Sequence, residues 1–328
     1  MKRILVTGAS GFVGGKLVEH LLDCGNSIRA VYRRTSVPNR LERLSNRNVE
    51  LVRKDLAGAD SLGALLQGCS HVVHAAAKVA DYGPRDEFVA INVRATEKML
   101  SAAADAGCER FLYVSSIAVH GFGNHHGSVE EGPYFPLQSS YQITKLDGEN
   151  LVRRNSRVPF TIARPGLVYG PGDTTTLNPL FDLLAKGRLP MLKGFDHINC
   201  PIYIDDLTLA IEKALFSHDA RGEVFNIVSD DKTSLREAIE FAAERLGRSV
   251  PSYNVPMWAA RSLANVTEMA AMFSGYRFRP PLTKYLARQL SHNFFFAPEK
   301  ALRILGFRAG VSWRDGIASS VDAFLAAR

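Results

Sequence analysis

The first half of the chain alternates short apolar runs with stretches whose apolar positions recur every three or four residues. The runs at Arg3–Thr7, Ile28–Tyr32, Val49–Val52, His71–Ala75 and Arg110–Val114 are four or five residues long, the length of buried strands. Between them, Phe12–Asp23, a segment opening near Asp60, and Arg85–Ala106 carry the helical period. Strand and helix in regular succession with short connections predict an α/β fold. Its core is a doubly wound parallel sheet, covered on both faces by right-handed crossovers. No repeat of solenoid type and no low-complexity tract interrupts the pattern.

After Val114 the pattern changes. Gly121 to Ser139 is a polar excursion with glycines and prolines, long enough to be an element that covers a substrate. A helix is predicted from Ser140 to about Arg154. Strands are predicted at Ile202–Ile204 and Val224–Val228, and helices at Asp206–Phe216 and Ser234–Leu246. The expected organisation is a nucleotide-binding domain over 1–170, to which 200–230 returns. Segments 171–199 and 231–328 then form a smaller, mostly helical C-terminal substrate-binding cap. The most apolar long stretch, Val255–Tyr276, is broken by Arg261 and Glu268, so it is not a membrane span. Its helix (Val255–Ser274) is expected in the cap, with Met257, Trp258, Met269, Met272 and Phe273 mostly in the cap core or lining an apolar pocket. Contact with a lipid surface is the other reading.

Composition narrows the class. The 328 residues are 46% hydrophobic and 22% charged, with a formal charge of +7. The basic residues are scattered, with small groups such as Arg33-Arg34 and Arg153-Arg154 and no long basic run, which points to anionic small molecules or an acidic lipid surface rather than nucleic acid. Cys24, Cys69, Cys108 and Cys200 form no Cys-x-x-Cys pair. With no leader ahead of the first strand, reduced thiols and a cytoplasmic location are expected.

The chemistry begins at Ile4–Gly14, where an apolar run ends in Gly8, Gly11 and Gly14 and a helix follows at once. Glycines remove the Cβ atoms that would block a pyrophosphate, and the helix supplies free N–H groups. A nucleotide-triphosphate loop fails at Ser10 and Leu17, where that motif requires a glycine and a Ser or Thr. At the end of the second strand, where an acid would hold the adenine ribose, stand Arg33 and Arg34. That favours the 2′-phosphate of NADP(H) over NAD(H), which remains the alternative. Asp55 is a candidate for the adenine amino group, or a helix cap. Small residues at Ala75, Ala76 and Ala77 let the backbone pass a flat cofactor, and His74 reads as packing. His125-His126 lacks further ligands at metal spacing, and no metal is expected. Tyr141 and Lys145 lie four apart on one helix face, where an ammonium would favour the phenolate. Ser115 and Ser116 end the fifth strand, and a serine hydroxyl there can hold the reacting oxygen.

These motifs together resemble the extended short-chain dehydrogenases/reductases of the NAD-dependent epimerase/dehydratase superfamily. The resemblance rests on Thr7-Gly8-x-x-Gly11-x-x-Gly14, Asp55-Leu56, His74-Ala75-Ala76, Asn92-Val93, Ser115-Ser116 and Tyr141-x-x-x-Lys145. It continues through Arg164-Pro165-Gly166-x-x-Tyr169-Gly170-Pro171-Gly172 and Ile204-Asp205-Asp206-Leu207. Ala76-Ala77-Lys78 with Asp81-Tyr82-Gly83, and Pro280-Pro281-Leu282-Thr283 with Phe296-x-x-x-Lys300-Ala301, are most similar to the 3β-hydroxysteroid dehydrogenase-like branch. The resemblance implies a Rossmann-type fold and a catalytic triad of Ser116, Tyr141 and Lys145. It places the dinucleotide among Thr7, Gly8, Ser10, Gly11, Phe12, Val13, Gly14, Asp55, Leu56, Ala75–Ala77, Asn92, Ser115, Tyr141 and Lys145, whose ammonium would donate to the ribose, with Pro165, Gly166 and Val168 at the nicotinamide. The function it implies is hydride transfer between NAD(P)(H) and a hydrophobic hydroxy or oxo compound, such as a 3-hydroxysteroid or 3-oxoacyl compound. The alternatives are a nucleotide-sugar epimerase or reductase, with Lys186, Arg188 and Lys193 on a second pyrophosphate, and a non-catalytic NADP(H)-binding regulator. Homodimers are common in the superfamily.

Overall fold

Parallel strands with hydrophobic residues on both faces are stable only between two layers of helix, and the chain folds accordingly. The computed structural model describes residues 2–155, 157–250 and 254–328. Seven strands are β1 (Arg3–Thr7), β2 (Ser27–Tyr32), β3 (Val49–Arg53), β4 (His71–His74), β5 (Arg110–Val114), β6 (Phe160–Pro165) and β7 (Val224–Ile227). They form one parallel sheet in the order β3-β2-β1-β4-β5-β6-β7. This is the Rossmann-type doubly wound sheet. The order reverses between β1 and β4, so the crevice at their carboxyl ends is where a ligand binds. On one face Leu17, Val18 and Leu21 of the helix Phe12–Asp23 pack with Leu207, Ile211 and Ala214 of the helix Ile204–Phe216. On the other, Met99, Leu100 and Ala103 pack with Leu65, Leu66 and Val152. A separate cluster built from Phe181, Met191, Ile239, Ala260, Trp313 and Phe324 is the core of the C-terminal helices.

Four local expectations change. The helix expected to open near Asp60 is a single turn, Gly63–Leu66, with Asp60 ahead of it paired to Lys54 at 2.6 Å. The helix from Arg85 holds a π segment, Val89–Arg94, before continuing to Asp105. There the Thr96 hydroxyl donates to the Asn92 carbonyl at 2.8 Å. The polar excursion contains a strand, His125–Ser128, parallel to Phe294–Phe296. Its histidine is an apolar-packed residue: His125 stacks on Phe296 at 4.5 Å and is saturated by Ser128 and the Gly121 carbonyl.

The fourth correction concerns the cap. The helix Met257–Phe273 buries Ala260, Ala264, Glu268 and Ala271, whereas Trp258, Met269, Met272 and Phe273 are exposed rather than in the core. Only Met257 of the expected set packs inward. Small side chains let this helix lie close to its neighbours, and the large ones are left outside.

Candidate active site

The glycine turn sits where β1 meets β4. Gly8 has φ +71°, and a Cβ there would stand 2.8 Å from the Ala76 nitrogen. A Cβ on Gly14 would stand 2.2 Å from the Gly8 carbonyl oxygen. Both glycines are therefore required by the protein's own packing. Gly11 is the N-cap of the helix Phe12–Asp23, with no side-chain cap and no acid in the first turn. The first N–H groups of that helix are thus left for an anion, and the cradle fits a dinucleotide pyrophosphate. Phe12 and Val13 pack against the cap cluster, joining the cradle to the C-terminal helices. We expect Gly14→Ala to cost about 1–3 kcal/mol of stability through overpacking. Dinucleotide affinity, measured by titration of intrinsic fluorescence, should weaken about tenfold or more, which is 1.4 kcal/mol.

Thr7 is fully buried and works through its hydroxyl. That oxygen accepts from the Ala76 N–H at 3.1 Å, leaving its proton for His74 Nδ1 at 2.9 Å. His74 Nε2 then donates to Thr96 at 3.1 Å, and Thr96 donates to the Asn92 carbonyl. The chain holds His74 neutral, and burial pushes its pKa down to about 3. His74 is packing, as expected. Asn92 is also committed within the protein: its side chain accepts from the Lys78 N–H at 2.7 Å and donates to the Lys78 carbonyl and to Thr144. It bears on the crevice by fixing the strand exit Ala75–Lys78.

Arg33 and Arg34 are exposed at the end of β2, and neither has an ion-pair or hydrogen-bond partner among the described residues. Asp55 is exposed and accepts from the Ala57 N–H at 3.1 Å, a local turn rather than a helix cap, while Leu56 beside it is buried. Ser10 is half-buried in the glycine turn. Gly166 runs so close to Cys200 that a Cβ would meet its carbonyl oxygen at 2.5 Å, and Val168 pairs with Ile202 beyond buried Pro165. Lys186 and Arg188 are exposed, and the Lys193 side chain lies outside the described residues.

At the carboxyl end of β5 the two serines diverge. Ser115 donates to Glu149 in the interior at 2.5 Å. Ser116 accepts from the Ala118 N–H at 3.1 Å and lies beside the Tyr141 phenol, whose pKa its hydroxyl lowers. Tyr141 enters from the helix Ser140–Arg154, whose N-cap Ser139 accepts from the Gln142 N–H. Burial raises the Tyr141 pKa, and the Ser116 hydroxyl opposes that rise. Lys145, one turn on, donates to the Val114 carbonyl at 2.6 Å with its ammonium 4.2 Å from the centre of the Tyr113 ring. Burial lowers its pKa to about 7, against the pull of Glu149. Tyr141 and Lys145 thus lie one turn apart on the same helix, with the Lys145 ammonium held at the Val114 carbonyl.

Behind the triad lies a buried network that the motifs did not single out. Glu149, two turns after Tyr141, receives Arg164 through two bonds of 2.9 and 2.7 Å. Arg164 also donates to His120 Nε2 at 3.0 Å and the Glu130 carbonyl at 2.9 Å. Burial and the neighbouring guanidinium push His120 down to about 3, so it stays a neutral acceptor. The signal for Glu149 was its spacing, since Tyr141, Lys145 and Glu149 recur at intervals of four. In front of the triad, Tyr141 packs with Phe88, Ala118, Ala80 and Tyr285, the last 6.3 Å ring to ring. Phe122 closes on Tyr285 at 4.8 Å. Of the other clustered donors, His20, Cys24 and Glu212 meet where the helices Phe12–Asp23 and Ile204–Phe216 pack, His20 and Glu212 being 2.8 Å apart.

A glycine cradle at the sheet's switch point, with serine, tyrosine and lysine at the end of β5, defines a nicotinamide-dinucleotide enzyme of the extended short-chain dehydrogenase/reductase class. The chain belongs to the NAD dependent epimerase/dehydratase family, whose model matches residues 4–228. It is 27% identical over 323 residues to a 4-hydroxy-2-methyl-3-oxo-4-farnesyl-3,4-dihydroquinoline-1-oxide ketoreductase of Stigmatella aurantiaca, covering 96% of this chain and 94% of that one. It is 29% identical to a 3 beta-hydroxysteroid dehydrogenase/Delta 5-->4-isomerase of Mycobacterium tuberculosis, covering 93% of this chain and 85% of the other. Among solved structures, a UDP-glucuronic acid 4-epimerase from Bacillus cereus with UDP-glucuronic acid and NAD superposes with a TM-score of 0.79. That match, at 24% identity over 99% of this chain and all of the other, carries the fold.

Proposed function

We propose that this enzyme is an NADP(H)-dependent ketone reductase or alcohol dehydrogenase for a hydrophobic oxo or hydroxy compound, of the 3-oxoacyl or 3-hydroxysteroid kind. The observation that carries the reading is the apolar packing around Tyr141, which is made of Phe88, Ala80, Ala118 and Tyr285. An apolar ring wall rewards an apolar substrate and offers nothing to a second pyrophosphate. The ketoreductase and 3 beta-hydroxysteroid dehydrogenase names of the two relatives point to the same substrate class. The dinucleotide supplies the hydride. Ser116 holds the substrate oxygen, Tyr141 exchanges its proton, and Lys145 serves the nicotinamide ribose. Residues 171–199 and 231–328 form the substrate cap, and four free cysteines suit the cytoplasm.

Arg33 and Arg34, exposed and without a partner among the described residues, are the reason for preferring NADP(H). Replacing both with serine should raise the KM for NADPH about tenfold or more, the loss of charge-assisted bonds to a phosphate, and leave that for NADH within about twofold. The reading as a whole is tested by following NADPH and NADH oxidation at 340 nm with 2-alkyl-3-oxo esters and 3-ketosteroids. Thermal-shift screening against UDP- and TDP-sugars runs beside it. Turnover of a hydrophobic ketone with NADPH is expected. Stabilisation by nucleotide sugars without ketone turnover would overturn it.

A further inference from the structure

The helix Met257–Phe273 presents its amphipathic faces in reverse of what a core-covering helix needs. Inward it has Ala260, Ala264, Glu268 and Ala271. Outward it has Trp258 (73% exposed), Val266 (66%), Met269 (53%) and Phe273 (88%). With 3.6 residues to the turn, those four fall within about 80° of arc, one continuous stripe along the helix. Leu263 and Met272 flank the stripe, and exposed Tyr276 and Phe278 carry it past the helix end. An apolar patch of this extent marks an interaction surface.

Charge decides what fits it. From Val255 to Pro280 the only acid is Glu268, and it is buried, accepting from the Lys284 N–H at 2.6 Å. Arg261 and Arg277 are exposed on this segment with no ion-pair partner among the described residues, and Arg279 reaches Asp81 at 3.2 Å. An exposed stripe of Trp, Phe and Met bordered by arginines suits an anionic bilayer, with the rings at the headgroup boundary and the guanidinium groups among phosphates. A second copy of the chain suits it less. Two-fold packing of the stripe on itself would gather Arg261 and Arg277 from both copies with no exposed acid to answer them. The stripe also adjoins a cavity of about 300 Å³ lined by Phe122, Arg261, Ala264, Asn265, Lys284 and Arg288. Phe122 leads from it to Tyr285 and so to Tyr141.

We propose that the outward face of Met257–Phe273, with Tyr276 to Arg279, is a docking surface for anionic membranes. No helix of the described residues is long and apolar enough to cross a membrane, so the attachment is in plane. The helix binds by laying Trp258, Val266, Met269 and Phe273 into the headgroup region.

The chain carries its own reporter. Of its two tryptophans, Trp313 is 5% exposed and Trp258 is 73% exposed, so the red part of the emission belongs to Trp258. Vesicles of equimolar phosphatidylglycerol and phosphatidylcholine should shift that emission to the blue and carry the protein down on sedimentation. Vesicles of phosphatidylcholine alone should bind about tenfold less, as loss of the charge attraction requires. The blue shift should vanish in Trp258→Phe. Binding should vanish in the triple variant Val266→Ser, Met269→Gln, Phe273→Ser, whose melting temperature should match the parent because all three positions are exposed. Three results would overturn the proposal: no sedimentation with either vesicle, undiminished anionic binding by Arg261→Glu with Arg277→Glu, or a dimer by light scattering that the triple variant converts to monomer.

Discussion

Tyr141→Phe is expected to lower kcat by about 10²–10⁴, the range for loss of a positioned general acid–base group, with the NADPH dissociation constant unchanged. In the proposed reaction the phenol carries the proton to the substrate oxygen, with the Lys145 ammonium committed to the Val114 carbonyl one turn behind it. His74 and His120 are the nearby alternatives, and both are excluded on their own chemistry. Each is buried, bonded on both sides or held by Arg164, and pushed down to about 3, so neither gives up or takes a proton near neutrality. Tyr141 has the opposite character, since burial raises it and it stays protonated at neutral pH. A protonated phenol is the form needed to donate to a ketone being reduced. The ring itself packs against Phe88, Ala118 and Tyr285, contacts that phenylalanine keeps, so the fold should tolerate the change. Single-turnover oxidation of NADPH separates chemistry from product release. A variant that keeps more than about a tenth of parental turnover would remove Tyr141 from the reaction.

Much of this site was legible in the sequence because its parts obey local rules. The strand Arg3–Thr7, the helix Phe12–Asp23 and the strand Arg110–Val114 have the bounds their patterns predict, each closed by a turn or a glycine. Ser115 and Ser116 point apart, Ser115 to Glu149 and Ser116 to the Ala118 N–H as the N-cap of the turn Ile117–His120. Two stretches that pointed to one family branch, Asp81–Gly83 and Pro280–Thr283, meet in space through a 2.8 Å bond from Thr283 to Asp81. What escaped the sequence depends on long-range packing. Nothing local says that Glu149 and Arg164 share a bond, or that polar His125 joins a strand beside Phe294–Phe296. The cap helix misled for a related reason. Large apolar residues normally mark the buried side, and here the close approach of neighbours reserves that side for alanine.

The larger structural penalty is expected from Glu149→Leu. Glu149 and Arg164 are both almost wholly inaccessible to water, the side chains at 0% and 1% exposure, and their charges answer each other through two short bonds. Removing one partner leaves the other as an uncompensated buried charge, which costs about 3–5 kcal/mol. Against the roughly 5–15 kcal/mol that stabilises folded proteins, that is enough to lower the urea midpoint markedly or to prevent accumulation of folded enzyme. The loss also reaches the site, because Glu149 is the acceptor for Ser115 and raises Lys145, its neighbour one turn back. Glu149→Gln, which keeps an oxygen for Ser115 and Arg164, should lose less. The paired change Glu149→Leu with Arg164→Met should recover most of the stability lost by Glu149→Leu, since replacing a buried ion pair by apolar groups of similar volume is often neutral. Urea unfolding of the three variants checks the assignment. A loss below about 1 kcal/mol in Glu149→Leu would mean that water reaches Arg164 and that the pair is not the buried brace of the catalytic helix.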